Sequence, residues 1–157
     1  MAQARITLLL LGLAIALLAG CSTAPRAGLP TVEAPLPEPV RFAHVRGSEE
    51  SSMLLDNFTA YVAAVDGEPV PAGRKGWATQ LEIRAGHRTL TVEFVRGVFT
   101  SRAELSLEAA PDASYEVKFT TDAQLFGHNS FCDFWIVDLG TGEKATAVTK
   151  SPVTRGG

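Results

Sequence analysis

The chain has 157 residues, with 14 basic and 17 acidic side chains and a net charge of −3 at neutral pH. The first twenty residues contain one arginine and no acid, so the remainder has 13 basic side chains and a net charge of −4. Nucleic-acid-binding proteins cluster Lys and Arg on one face, whereas the basic residues here are scattered among acids. We therefore expect no nucleic-acid partner, and the length after residue 20 suits a single domain.

Residues 1–20 are predicted to be an export signal. Arg5 precedes an apolar run from Ile6 to Leu18, and small residues follow this run. The run is too short to span a bilayer, and a charged start, an apolar middle and a small-residue end are typical of a secretory signal. We expect these residues to be absent from the mature protein.

The end of this signal, Leu18-Ala19-Gly20-Cys21, resembles the lipobox of bacterial lipoproteins. The resemblance implies cleavage between Gly20 and Cys21 and a diacylglycerol on the Cys21 thiol. Two or three acyl chains anchor a protein stably, at about 0.8 kcal/mol per buried CH₂. Ser22 stands where an aspartate would favour the inner membrane, so the resemblance implies an outer-membrane anchor facing the periplasm. The alternative is an ordinary signal with a chance cysteine at the cleavage site.

Residues 21–40 are predicted to be a lipidated N-terminus followed by a proline-rich tether. Five of these residues are prolines, and the segment has no apolar periodicity. Dense proline favours extended, polyproline-like conformations, so the segment would hold a folded domain away from the membrane. The alternative is a docking site for a proline-reading partner.

Residues 41–150 are predicted to be all-β, because their dominant apolar pattern has a period of two. Leu90, Val92 and Phe94 alternate with polar residues, and residues 103–109 and 115–120 show the same alternation. Such alternation is typical of strands with one apolar face. Residues 58–65 and 134–139 are more continuously apolar, as in central strands.

Short turns are predicted between these strands, at Asp66-Gly67, Ala85-Gly86, Arg96-Gly97, Pro111-Asp112 and Gly140-Thr141-Gly142. One-sided strands must cover their apolar face, so we predict an antiparallel β-sandwich of about seven strands, immunoglobulin-like or similar. An open barrel is the main alternative. Residues 49–55 are a possible short helix, and residues 151–157 are predicted to be a flexible tail.

Residues 61–70 and 81–92 resemble small bacterial extracytoplasmic β-domains of the PEGA-like kind. In those domains a strand ends in Val-Asp-Gly, as at residues 65–67, and a later Pro-Gly-His turn feeds a strand of alternating Val and Leu. Here Ala85 replaces the proline before Gly86 and His87. The resemblance implies a sandwich used for surface display or adhesion to envelope components, with no catalytic residue.

The predicted binding surface consists of Arg74, Lys75 and Trp77. The two cations lie between Gly73 and Gly76, directly before the tryptophan. An aromatic side chain beside cations in a turn suits an anionic glycan or a lipid headgroup. The alternative is a solvated loop in which Trp77 caps the core.

Trp135 is flanked by Asp133 and Asp138, which suits a sugar site in which carboxylates bind hydroxyl groups beside an aromatic ring. The alternative, which we favour, is that the aromatic residues of this strand build the core.

A second candidate site lies between His128 and Asp133. The spacing of His128, Cys132 and Asp133 suits metal ligands, and Ser130 lies beside the histidine. However, the sequence indicates no third or fourth ligand and no Gly-x-Ser-x-Gly elbow. We therefore predict no metal and no cofactor, and we expect Cys132 to be buried and inert, since acylated Cys21 cannot pair with it.

Two functions from different classes fit these observations. The first is a membrane-anchored, noncatalytic envelope module that binds a protein or glycan partner through strand edges and loops. The second is a small periplasmic hydrolase or metal-dependent enzyme with a loop site at residues 128–133. Simple alternation in a small core leaves little room for a catalytic pocket, so we predict the first.

Overall fold

The computed structural model of the chain describes residues 39–52, 56–122 and 130–155. The predicted signal, Cys21 and nearly all of the tether lie outside these residues, as does His128. Within the described ranges the secondary structure consists of eleven strands and one short 3₁₀ helix at Gly73–Gly76. The strands are β1 (Phe42–Arg46), β2 (Ser48–Glu50), β3 (Phe58–Val65), β4 (Glu68–Pro69), β5 (Leu81–Arg84), β6 (Gly86–Arg96), β7 (Phe99–Ala109), β8 (Ser114–Thr121), β9 (Phe131–Asp138), β10 (Thr149–Pro152) and β11 (Thr154–Arg155).

The strands form two sheets, which confirms the predicted all-β sandwich. The first sheet has the order β10-β9-β8-β1-β5, and the second has the order β11-β7-β6-β3-β2 with β4 beside β3. Every pair is antiparallel except β1 and β8, which run parallel. The chain changes sheets at Gly47, Ala85 and Val153, where a strand of one sheet continues almost directly into a strand of the other.

The core lies between the sheets and is built from the alternating apolar residues. Its largest fully buried side chains include Phe94, Leu105, Phe134 and Ile136. The rings of Phe94 in the second sheet and Phe119 in the first are tilted against each other, with centroids 5.4 Å apart. Burial of this apolar area, at roughly 25 cal/mol per Å², is the main favourable contribution to folding.

The hairpin turns follow the predicted turn residues. Asp66 and Gly67 both have positive φ, at 49° and 84°, between the paired residues Val65 and Glu68. A two-residue hairpin of this mirror-image type requires positive φ at both positions, which Asp and Gly tolerate best. The Asp66 carboxylate also accepts a 2.9 Å hydrogen bond from the backbone N–H of Thr89, which fixes the turn against β6.

Two predictions for short segments are wrong. Residues 48–50 form β2, which pairs with residues 58–60 of β3, so a helix does not begin at Glu49; residues 53–55 lie outside the described ranges. Residues 149–152 and 154–155 form β10 and β11 and pair with β9 and β7, so the chain up to Arg155 belongs to the sandwich and not to a flexible tail. Strands of two to four residues carry no readable alternation, which explains both errors and the excess over seven strands.

Candidate functional site

Trp77 lies in the loop that leads from β4 in the second sheet to β5 in the first, at the point where this loop contacts the end of β1. It follows the 3₁₀ helix, and its backbone N–H donates to the carbonyl of Arg74 at 3.2 Å. Its own carbonyl accepts a 2.7 Å hydrogen bond from the N–H of Gly47, the residue at which β1 passes into β2. The Trp77 side chain is half-buried, whereas Arg74 and Lys75 are exposed.

Gly47 permits this close approach because it has no side chain. A Cβ at this position would lie 2.2 Å from the carbonyl oxygen of Ala60 and 3.0 Å from that of Trp77. Both contacts are to backbone atoms, which cannot rotate away. The sequence therefore needs glycine here for steric reasons, and the loop that carries Trp77 is held rigidly against the sheet crossover.

Trp77 lines a cleft of about 300 Å³ that is rich in charged side chains. We call it the Trp77 cleft and define it by Trp77 and its charged members, Arg46, Glu49, Glu50, Glu116 and Lys118; the buried Phe119 also lines it. Two cations and three carboxylates therefore share this cleft with Trp77. A concave site with a few fixed polar groups and an aromatic side chain has the composition of a binding site for a polar ligand.

The centre of the Trp77 cleft is an ion-paired triad. Arg46 donates to Glu116 Oε2 from Nε at 2.9 Å and from Nη2 at 2.6 Å, and Lys118 Nζ pairs with the other carboxylate oxygen. Burial of Glu116 opposes its ionisation, but the hydrogen bonds and charges of Lys118 and Arg46 outweigh this effect and lower the pKa of the Glu116 carboxyl. The triad is therefore a fixed, ionised group of donors and acceptors.

Only one residue of the predicted binding surface lines the cleft. Trp77 lines the cleft, but Arg74 and Lys75 do not. Arg46, Glu116 and Lys118 were not predicted as site residues; they are polar residues on the outer faces of β1 and β8. Their alternation with buried residues was a readable signal, but the parallel pairing of β1 with β8, which places Arg46 opposite Glu116, was not.

Trp135 lies on the outer face of the first sheet and not in the core, which corrects the expectation that both aromatic residues of this strand are buried. Phe134 is fully buried, whereas Trp135 is half-exposed opposite Lys118, with Lys144 Nζ 5.1 Å from its ring centre. Asp138 is engaged elsewhere, because its Oδ1 accepts the N–H groups of the 140–141 turn. The two aspartates therefore do not converge on Trp135.

Two residues of the candidate site at residues 128–133, Cys132 and Asp133, lie on opposite faces of β9, whereas His128 lies outside the described residues. Cys132 is fully buried in the core, and burial, followed by the nearby charges of Asp133, Asp122 and Glu50, raises the pKa of its thiol to about 12. Asp133 is the next residue of the strand, so its side chain points to the opposite face. In the ranges that the structure describes, no group of three or more His, Cys, Asp or Glu is placed to hold a metal ion.

A larger open cleft, of about 790 Å³, lies at the other end of the sandwich, near Val40 and Pro111. Three arginines line it, at positions 41, 84 and 88, but none of its lining residues is aromatic. Arg88 is already engaged, since it donates to Asp66 and to the carbonyl oxygens of Arg84 and Ala85. This cleft is therefore less suited to a specific ligand than the Trp77 cleft.

The chain matches no protein-family model, no curated protein and no solved structure. Among the residues whose structure is described, none forms a helix long and apolar enough to cross a membrane.

Proposed function

We propose that this chain is a lipid-anchored module of the bacterial cell envelope that binds a protein or polymer partner without catalysing a reaction. The observation that carries the proposal is the Trp77 cleft, which Trp77 lines together with the ion-paired Arg46, Glu116 and Lys118. The resemblance of Leu18-Ala19-Gly20-Cys21 to a lipobox supports the anchor, and Ser22 supports the outer membrane.

The chemistry of the cleft favours a hydroxyl-rich partner such as a cell-wall glycan. A sugar hydroxyl both donates and accepts, so it can bind Arg46 or Lys118 and a carboxylate at the same time. The apolar face of a sugar ring can pack on Trp77. With three carboxylates beside two cations, the cleft does not favour a strongly anionic ligand.

The state of the titratable groups supports binding over catalysis. A general acid at neutral pH needs a raised carboxyl pKa, whereas the pKa of Glu116 is lowered by its two cationic partners. A cysteine nucleophile needs an accessible thiolate, whereas the buried Cys132 thiol has a pKa of about 12. A hydrolase or metal-dependent enzyme with a site at residues 128–133 would need Cys132 and Asp133 to converge, and they lie on opposite faces of β9.

The anchor is tested by replacing Cys21 with Ser and following labelled palmitate. We expect the label on the wild-type chain and on a Cys132→Ala variant, but not on Cys21→Ser. Equal labelling of wild-type and Cys21→Ser chains would show that the acyl group is not on Cys21.

The partner is tested with a photo-reactive amino acid at Ala78, an exposed residue that lines the Trp77 cleft. We expect this probe to form an adduct with a glycan or protein in the intact envelope, and the same probe at Val98, an exposed residue that does not line the cleft, to form none. Trp77→Ala should reduce the Ala78 adduct about tenfold, whereas Phe131→Ala, at an exposed aromatic residue that does not line the cleft, should leave it unchanged. A lack of adduct at Ala78, or one that is insensitive to Trp77→Ala, would refute the proposal.

A further inference from the structure

β7 is a long strand with an open edge. Along one side it pairs with β6 over its full length, from Phe99 to Ala109. On the other side β11 pairs only with Phe99 and Thr100, and Ser151 Oγ donates to the carbonyl of Arg102 at 2.6 Å. Within the described parts of the chain, residues 103–109 have no hydrogen-bonding neighbour on this second side.

The hairpin between β6 and β7 determines which backbone groups face this edge. Arg96 and Phe99 flank a two-residue turn and therefore form a hydrogen-bonded pair, as does every second pair after it. Odd-numbered residues of β7 thus bond to β6, and even-numbered residues direct their N–H and C=O away from it. The carbonyls of Thr100 and Arg102, which accept hydrogen bonds from Thr154 and Ser151, agree with this direction.

Three N–H and three C=O groups, those of Glu104, Ser106 and Glu108, are therefore directed to the open edge. We call this stretch, residues 103–109, the β7 edge. It contains no proline, no lysine and no bulge, three of the features that protect edge strands from pairing with another chain, and its charged residues are Glu104 and Glu108.

The other edge strands of the two sheets are protected or short. β5 has four residues, and β2 has three. β4 has two residues, one of which is Pro69, and β10 contains Lys150 and Pro152. The β7 edge is thus a long edge of the described fold without proline or lysine, where a strand can be added.

We propose that the β7 edge binds an extended segment of a protein partner, which adds a strand to the second sheet and carries two basic residues four positions apart. Glu104 and Glu108 lie on the outer face of β7 and are exposed. Residues directly opposite in an antiparallel pair have side chains on the same face, so cations in the partner would lie opposite these carboxylates. Glu108 has one near neighbour of its own, His87, at 3.5 Å.

A second copy of this chain fits the edge less well than a basic segment. Antiparallel pairing of two β7 edges that uses all three outward residues is centred on Ser106. This register places Glu104 of each copy opposite Glu108 of the other, and directly opposed like charges are destabilising. The same two carboxylates that favour a basic partner therefore disfavour self-association.

The proposal adds a second binding surface to the module, and a designed peptide tests it with the full-length chain. The probe is fluorescein-labelled Val-Lys-Val-Thr-Val-Lys-Val, and its anisotropy is titrated with protein. We expect saturable binding that weakens as salt is added, and at least tenfold weaker binding when both lysines are replaced by glutamate.

Methylation of single peptide amides provides a matched pair of probes. The threonine N–H faces the β7 edge in the proposed complex, whereas the N–H of the valine that follows the threonine faces away. N-methylation of the threonine should therefore abolish binding, and N-methylation of that valine should weaken it much less. Equal loss for both would refute the addition of a strand.

Protein variants complete the test. Ser106→Pro removes an N–H that faces the open edge without removing a hydrogen bond to β6, so it should abolish peptide binding, whereas Ser106→Ala should preserve it. A second variant, Glu104→Lys/Glu108→Lys, tests the proposal even if the proline variant fails to fold. It should bind the glutamate peptide better than the lysine peptide, which reverses the preference of the wild-type chain. Unchanged preference would overturn the proposal.

Two further measurements distinguish peptide binding at the β7 edge from dimerisation and from binding at the Trp77 cleft. Concentration-dependent dimerisation without peptide binding, measured by sedimentation, would assign the β7 edge to a second copy and overturn the proposal. Trp77→Ala should leave peptide binding unchanged, and Glu104→Lys/Glu108→Lys should leave the Ala78 adduct unchanged, so the failure of one surface is distinguishable from the failure of the other.

Discussion

Arg46 and Glu116 are 70 positions apart, yet two nitrogens of the arginine, Nε at 2.9 Å and Nη2 at 2.6 Å, donate to the same carboxylate oxygen of the glutamate. The two residues are register partners in the parallel pair of β1 and β8. Glu116 is 8% exposed, so its carboxylate depends on these donors and on Lys118 to replace water. The ion pair therefore connects the first strand of the fold to a central strand and forms the centre of the Trp77 cleft.

Glu116→Gln should destabilise the fold by about 1–3 kcal/mol at pH 7, because it weakens hydrogen bonds between charged groups and leaves two cations without their carboxylate. Urea denaturation measures the change. Glu104→Gln, at an exposed position with no such partners, is the control and should change the free energy of unfolding by less than about 0.5 kcal/mol.

The same pair predicts a pH dependence. The pKa of Glu116 is lower in the folded chain than its ordinary value of 4.5. Its contribution is therefore present above the unfolded pKa and is lost as the pH falls through the folded pKa. The difference in unfolding free energy between wild type and Glu116→Gln should be constant from pH 6 to 8 and should shrink below about pH 4.5. A difference that is independent of pH would mean that the charge is not responsible.

Gly47→Ala should destabilise the fold strongly although it adds only a methyl group. The new methyl group would lie 2.2 Å from the Ala60 carbonyl oxygen, so the crossover between the sheets must shift. We expect a loss of about 1–3 kcal/mol, as for other overpacked sites, together with weaker binding at the Trp77 cleft. Thermal unfolding measures the first effect. Gly140→Ala is the control, since its nearest contact is a side-chain oxygen at 3.2 Å.

The Cys132 thiol should be unreactive in the native protein. It is fully buried, and its pKa of about 12 leaves almost no thiolate at pH 8. In a Cys21→Ser variant, where Cys132 is the remaining cysteine, a thiol reagent should modify the native chain many times more slowly than the urea-unfolded chain. Rapid reaction of the native protein at pH 8 would contradict the burial of this residue.

Phe134→Ala and Trp135→Ala should have unequal effects although the residues are neighbours. Phe134 is fully buried, so its truncation should cost about 3–5 kcal/mol through lost burial and a cavity. Trp135 is half-exposed on the outer face, and its truncation should cost clearly less. Urea denaturation of both variants measures the difference. Equal losses would mean that Trp135 is as deeply buried as Phe134.

Much of the sandwich was predictable because strand alternation is a local property. The residues of β6, β7 and β8 carry it over eight to eleven positions, and the turn at Asp66 and Gly67 requires backbone angles that few other residues adopt. By contrast, β10 and β11 are short, and they form because the exposed edges of β9 and β7 offer them backbone partners. Their own residues do not predict this.

The sequence by itself determined the fold class, the buried set at Leu90, Val92 and Phe94, and the burial expected for Cys132, because each depends on which side chains avoid water. Tertiary structure decided which outward residues meet. The parallel pairing of β1 with β8 brings Arg46 to Glu116, and the order of the second sheet leaves residues 103–109 open. Both depend on strand order, which is set by contacts between residues far apart in the chain and is not encoded in any short segment.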